Sequence, residues 1–232
     1  MIRRTYREVG TCETPAGHNV LLDGRALLTP AKRPLALPSR ALAEAIAAEW
    51  AAQEAEVKPR SMPLMRLAAT ALDRIAPDRE MTIDEIAAFA GTDLLCYRAE
   101  EPPELVARQE EVWGPILEWL RQRYDAHLGV TRGVKPVAQS GASLARLRAV
   151  VAAEDAFHLA ALQALTSGLG SLALALAVRA GAVQAEAAFA ASQLDESFQN
   201  ERWGVDEEAM LRREESRRDI MDTARFLAHL RC

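Results

Sequence analysis

Cysteine is scarce in this chain, which has three in 232 residues: Cys12, Cys96 and Cys232. They lie far apart, and none belongs to a C-x-x-C pair or to the spacing of a zinc site. A sparse and odd set of this kind is typical of a reducing compartment, where disulfides rarely form. Cys96 follows two leucines, so we expect it to be a small buried hydrophobic residue.

Long apolar runs are also missing. The longest, residues 169–178, has about ten residues, half of what a membrane-spanning helix needs, so it predicts a buried core helix. The N-terminus has no apolar segment of the kind found in signal peptides. We therefore expect no membrane insertion and a cytoplasmic protein.

An excess of positive charge is absent as well. The formal net charge is −5 and the pI is about 5.5, which argues against a broad surface for nucleic acid, so no nucleic-acid partner is expected. Half of the residues are hydrophobic and only 5% are aromatic. Alanine and leucine dominate, and this composition favours helices.

Recognisable catalytic and metal-binding patterns are missing too. The chain has no phosphate-binding loop and no G-x-S-x-G, and its four histidines are isolated, so we expect no metal and no cofactor. The adjacent acids Asp195 and Glu196 would point about 100° apart on a helix and would not form a catalytic pair. We assign no catalytic residue, and on the residues alone a binding module is favoured over an enzyme.

What is present predicts an α+β fold. Residues 1–76 read as a small N-terminal antiparallel β/α domain, with Asp23-Gly24 as the turn of a hairpin and Ser39 as the N-cap of a helix. Residues 77–232 read as a larger C-terminal orthogonal α-helical bundle, because its helices differ in length and are joined irregularly. Gly114-Pro115 predicts either two helices or one kinked helix over residues 104–127.

Residues 194–204, L-D-E-S-F-Q-N-E-R-W-G, stand out because acids, amides and aromatics are mixed in a short stretch. If this stretch continues the preceding helix, Phe189, Glu196 and Trp203 are seven residues apart and share one face. Three interpretations are open at this point. Glu196 belongs to a recognition surface, or it is a general acid or base in an interdomain cleft, or it ties the terminal helix to the bundle together with Trp203.

Six blocks of the sequence resemble, in order, the F-type ATP synthase assembly chaperones that act on the α subunit. Each block alone is a weak match, but the six are collinear and span nearly the whole chain. The blocks are L-D-G-R-A-L-L-T-P-A-K-R-P-L-A-L-P at 22–38, A-E-A-I-A-A-E-W-A-A-Q at 43–53, M-P-L at 62–64, T-D-L-L-C-Y-R-A at 92–99, G-S-L-A-L-A-L-A at 170–177 and S-Q-L-D-E-S-F-Q-N-E-R-W-G at 192–204.

The resemblance implies a small N-terminal α+β domain, a C-terminal orthogonal helix bundle and no enzymatic activity. It implies a chaperone that binds the unassembled α subunit of the catalytic head and shields the interface that the β subunit later covers. Release follows when β takes its place. We expect the chaperone to act as a monomer.

The resemblance also implies where the partner binds. The family's functional acid corresponds to Glu196, and we extend the partner-binding site to Asp195, Gln199, Glu201 and Trp203. Better-known members are mitochondrial and carry a transit peptide, which the N-terminus here does not resemble, as expected for a bacterial homologue. Ala51 stands where relatives usually have an acid, so no role is carried over to that position.

Overall fold

The structure, a computed structural model, describes residues 2–133, 135–204 and 206–231. The chain forms two compact units. One comprises the described residues of 1–79, 155–161 and 222–232, and the other comprises those of 80–154 and 162–221. The division at residues 76 and 77 stays a prediction.

Short strands and longer helices alternate irregularly along the described residues. The strands are β1 (Ile2–Arg3), β2 (Val9–Thr14), β3 (Gly17–Leu22), β4 (Arg25–Ala26), β5 (Glu56–Val57), β6 (Tyr97–Arg98) and β7 (Thr131–Arg132). The helices are α1 (Arg40–Ala51), α2 (Pro63–Thr70), α3 (Arg79–Ala88), α4 (Pro103–Tyr124), α5 (Gly141–Ala152), α6 (Ala156–Leu169), α7 (Leu172–Ala180), α8 (Ala185–Ser192), α9 (Leu194–Trp203) and α10 (Glu207–Leu230).

The sheet of the first unit is built around the predicted hairpin. Strands β2, β3 and β4 are antiparallel neighbours in that order, and β1 pairs with β5, also antiparallel. Asp23 and Gly24 both have positive φ, 48° and 77°, as the two central residues of a type I′ turn require. The prediction of a hairpin at this dipeptide is therefore confirmed.

Helix α1 packs on this sheet and begins where the sequence predicts. The Ser39 hydroxyl accepts a hydrogen bond from the Leu42 amide at 3.1 Å, which satisfies one of the free donors at the helix start. Leu42 and Ile46 are fully buried on the face that meets β2 and β3.

The core of the second unit is the apolar helix α7. All seven residues from Leu172 to Val178 are buried, and α4 and α8 pack against this helix. The prediction of a buried core helix is confirmed for Leu172–Val178, whereas Leu169 ends α6 and Gly170 lies between the two helices. Cys96 is buried too, and burial raises the pKa of its thiol to about 12.

The N-terminus of α7 receives hydrogen bonds from two side chains. The Ser171 hydroxyl accepts from the Leu174 amide at 3.0 Å. The carboxylate of Asp93, fully buried, accepts from the Ala173 amide at 3.0 Å and from the Leu95 amide at 3.1 Å. Burial raises the pKa of Asp93, and these hydrogen bonds oppose that shift.

Helix α4 is one continuous helix from Pro103 to Tyr124 with Pro115 inside it, so of the two alternatives the single helix is found. The fold as a whole is α+β, with a small antiparallel sheet near the N-terminus and a mostly helical remainder. The predicted fold class is confirmed. Within the described ranges, no helix combines the length and the hydropathy needed to cross a membrane.

Candidate partner-binding site

The stretch at 194–204 forms its own helix, α9, and does not continue α8. Gln193 separates the two helices with φ −100° and ψ 14°. The expectation that Phe189 and Glu196 share one continuous helix is therefore wrong. At the break, the Ala191 carbonyl accepts a hydrogen bond from the indole N–H of Trp113 on α4 at 2.8 Å, a tertiary contact that helical periodicity does not encode.

A buried polar network holds α9 against α4. Gln109, which is fully buried, donates from Nε2 to Oδ1 of Asp195 at 2.7 Å and accepts from the Ala99 amide at 2.8 Å. The guanidinium of Arg98 donates to the Gln109 carbonyl and lies 5.0 Å from the Trp113 ring centroid. Asp195 therefore positions α9 on α4.

Burial also affects the charge within this network. Arg98 is only 5% exposed, and desolvation lowers the pKa of its guanidinium. The negative charges of Glu110 and Asp195 act in the opposite direction and favour the protonated form. Asp195 thus acts on Arg98 electrostatically as well as accepting from Gln109.

A second set of contacts joins α9 to α4 at the surface. Arg108 donates from Nη1 to both carboxylate oxygens of Glu201, at 2.9 and 2.8 Å, and Arg202 lies 3.6 Å from Glu104. The guanidinium carbons of these two arginines are 5.2 and 4.4 Å from the ring centroid of Phe198. Exposed ion pairs of this kind contribute about 0–1 kcal/mol each, so they add orientation more than stability.

Helices α8, α9 and the beginning of α10 surround an open groove of about 950 Å³. All of its residues belong to the second unit. The lining residues are Glu186, Phe189, Ala190, Glu196, Ser197, Asn200, Glu201, Glu207, Met210, Leu211, Arg213, Glu214 and Arg217. This groove is the candidate site, and we call it the α8–α10 groove.

The α8–α10 groove combines apolar and acidic side chains. Phe189 is buried, whereas Met210 is 49% and Leu211 is 70% exposed. Glu196 is half-buried, and within the described residues no basic side chain pairs with it. The groove therefore offers an apolar surface next to a carboxylate that has no ion-pair partner in the described chain.

The five predicted partner-binding residues do not all face this groove. Glu196 and Glu201 line it, whereas Asp195 is bonded to α4. Gln199 is exposed and Trp203 is 77% exposed, and neither lines the groove. Their assignment to partner binding stays a prediction.

Sequence reasoning missed the contribution of α10. The predicted site residues end at Trp203, yet Glu207, Met210, Leu211 and Glu214 all line the groove. Their spacing of i, i+3, i+4 and i+7 is the pattern of a single helical face, so this signal was present in the sequence. The contacts of Gln109 and Arg108 had no local signal, because their partners lie 86 and 93 residues away.

Comparisons with known proteins agree on one family. Residues 3–121 match the family model described as ATP12 chaperone protein. The crystal structure of Atp12 from Paracoccus denitrificans is similar to this chain with a TM-score of 0.95 and 43% identity, over 99% of this chain and 98% of that one. A protein from Agrobacterium tumefaciens is similar with a TM-score of 0.94 and 40% identity, over 98% of this chain and 86% of that one.

A eukaryotic relative is more distant. The mitochondrial protein atp12 of Schizosaccharomyces pombe is 26% identical over 219 residues, which cover 89% of this chain and 75% of that protein. The family model ends at residue 121, before the residues of the α8–α10 groove. The whole-chain structural comparison covers 99% of this chain. The family's members are chaperones rather than enzymes, which sets aside the interpretation of Glu196 as a general acid or base. The chain belongs to the ATP12 family of ATP synthase assembly chaperones.

Proposed function

We propose that this chaperone binds the unassembled α subunit of the F-type ATP synthase head through the α8–α10 groove and the exposed residues beside it. It shields an interface of that subunit and is displaced when the β subunit arrives. It acts as a monomer in the cytoplasm. The observation that carries the proposal is an open groove with large exposed apolar side chains next to Glu196.

Three large apolar residues of α9 and α10 are exposed. Trp203 is 77%, Leu211 70% and Met210 49% exposed. Large apolar side chains grouped at a surface mark interaction sites, and Trp and Met are enriched there. An unassembled subunit exposes apolar surface of its own, which leads to aggregation unless it is covered.

The structural interpretation of Glu196 and Trp203 is less well supported than a role in recognition. A residue that ties the terminal helix to the bundle should be buried against it or paired with it. Trp203 is exposed at the C-terminal end of α9, and Glu196 has no ion pair within the described part of the chain. Arg202, on the same helix as Glu196, lies 3.6 Å from Glu104 instead.

Release requires moderate affinity, because a competing subunit must be able to replace the chaperone. The groove is open, and its apolar residues are bordered by carboxylates and arginines. Polar borders of this type exclude less water than an enclosed apolar pocket and contribute less to affinity. The site is therefore suited to a complex that forms and is later exchanged.

Co-purification with free α subunit tests the proposal. The full-length chain should form a complex with isolated α, and added β should displace it. Glu196→Lys should weaken the complex, whereas Glu215→Lys, an exposed acid of α10 outside the groove, should leave it intact. Absence of any complex with free α would contradict the proposal.

A further inference from the structure

We propose that the α8–α10 groove accepts a cationic amphipathic segment of its partner. A Lys or Arg side chain of that segment lies against Glu196, and its apolar side chains cover Met210 and Leu211. The identity of the partner as the α subunit rests on the function proposed above. The chemistry of the occupant follows from the groove itself.

The charge of the groove is the first argument. Its lining contains five glutamates and two arginines, for a net charge of −3. A basic segment entering the groove would meet a favourable potential, whereas an acidic segment would be repelled.

Both arginines of the groove already have partners within it. Arg217 donates from Nε and Nη2 to the two carboxylate oxygens of Glu186, each at 2.8 Å. Arg213 donates from Nη2 to the Ser197 hydroxyl at 2.7 Å and lies 6.0 Å from the Phe189 ring centroid. The Arg217 contact neutralises Glu186, and the Arg213 charge is already counted in the net charge of −3, so the groove stays acidic.

The acids that remain are the ones an incoming cation would meet. Within the described residues, neither Glu196 nor Glu207 has an ion pair, and Glu214 has only long contacts, 3.7 Å to Arg217 and 4.0 Å to Arg218. A charge-assisted hydrogen bond to a carboxylate is stronger than a neutral one. Since Glu196 is half-buried, solvent ions would screen a bond there less than one to a fully exposed acid.

The apolar part of the groove requires that the occupant be amphipathic. Met210 and Leu211 stand one turn from Glu207 and one turn from Glu214 on the same face of α10. An occupant must therefore present apolar and basic side chains within a few ångströms of each other. A segment with only basic side chains would leave the exposed surfaces of Met210 and Leu211 in water.

The test uses the full-length chain and two fluorescein-labelled amphipathic peptides. Both have the same leucine pattern, but one carries lysines and the other glutamates on the polar face. In fluorescence anisotropy, the lysine peptide should bind with an affinity that falls as salt rises, and the glutamate peptide should not bind. The lysine peptide should also compete with isolated α subunit.

Matched variants locate the binding. Glu196→Gln should weaken binding of the lysine peptide by about tenfold, the value of one charge-assisted hydrogen bond. Glu215→Gln removes the same charge from an exposed position on α10 outside the groove and should change nothing. Leu211→Ser should also weaken binding, and thermal unfolding should show that all three variants fold as well as the parent.

The outcomes separate the two proposals. If α binds with no salt dependence, and if neither the lysine peptide nor Glu196→Gln affects that complex, the inference is wrong and the proposed function stands. If the lysine peptide binds as expected but free α does not, the proposed function is wrong and the inference stands. If the chain dimerises and Leu211→Ser makes it monomeric, a second copy occupies the groove and the inference is wrong.

Discussion

Helix α7 and the beginning of α10 both carry leucine, yet its surroundings are opposite in the two helices. In α7 every residue from Leu172 to Val178 is buried. In α10, Leu211 is 70% exposed on a helix rich in charge. Burial of a leucine side chain contributes about 1.5–3 kcal/mol to folding, so α7 contributes stability, whereas Leu211 leaves apolar area available for a partner. The same residue type thus stabilises the core in α7 and leaves apolar area exposed in α10.

The largest expected effect comes from the same substitution in both helices. Leu174→Ala should lower the free energy of unfolding by about 3 kcal/mol, because Leu174 is fully buried and its removal leaves a cavity. Leu211→Ala should change that free energy by less than about 0.5 kcal/mol and should weaken the complex with α. Urea denaturation and co-purification measure the two quantities. Equal losses of stability would remove the contrast between the helices.

A smaller contrast concerns two adjacent acids. Asp195→Ala should lower the free energy of unfolding by about 1–3 kcal/mol, because it leaves the buried Nε2 of Gln109 without its acceptor at 2.7 Å. Glu196→Ala should lower the free energy of unfolding by less than about 0.5 kcal/mol, since Glu196 forms no ion pair within the described residues. Urea denaturation of both variants, with binding to α measured in parallel, distinguishes a residue that positions α9 from a residue that contacts the partner. A Glu196 variant as unstable as the Asp195 variant would assign Glu196 to the fold.

The smallest expected effect is at the surface pair between α4 and α9. Glu201→Gln weakens the contact with Arg108, in which both groups are about half exposed. The expected loss of stability is about 0.5 kcal/mol and should shrink as salt rises, because solvent and ions screen such pairs. Chemical denaturation at low and high salt measures it, with Glu215→Gln as the control. A loss that does not depend on salt would indicate that Glu201 has a packing role.

Much of the fold could be predicted because its signals are local. Asp23-Gly24 indicates a hairpin through its turn conformation, Ser39 indicates a helix start through its side chain, and residues 169–178 indicate a core helix through composition alone. The candidate site was harder to predict from the sequence. The contact of Trp113 with Ala191 beside the break and the contact of Gln109 with Asp195 span 78 and 86 residues, and no local sequence pattern predicts them. The collinear blocks identified the family, although they did not show that Asp195 and Glu196 face different surroundings.

The capping of α7 by Asp93 has a consequence for synthesis of the chain. The Ala173 amide lies 80 residues after the carboxylate that accepts from it. At the usual rate of about 5–20 residues per second, the ribosome needs roughly 4–16 s to bridge that interval. During this time Asp93 is made but has no α7 to cap, and it is free to be hydrated and ionised. Docking of α7 then removes that water, so completion of the second unit is delayed until late in translation.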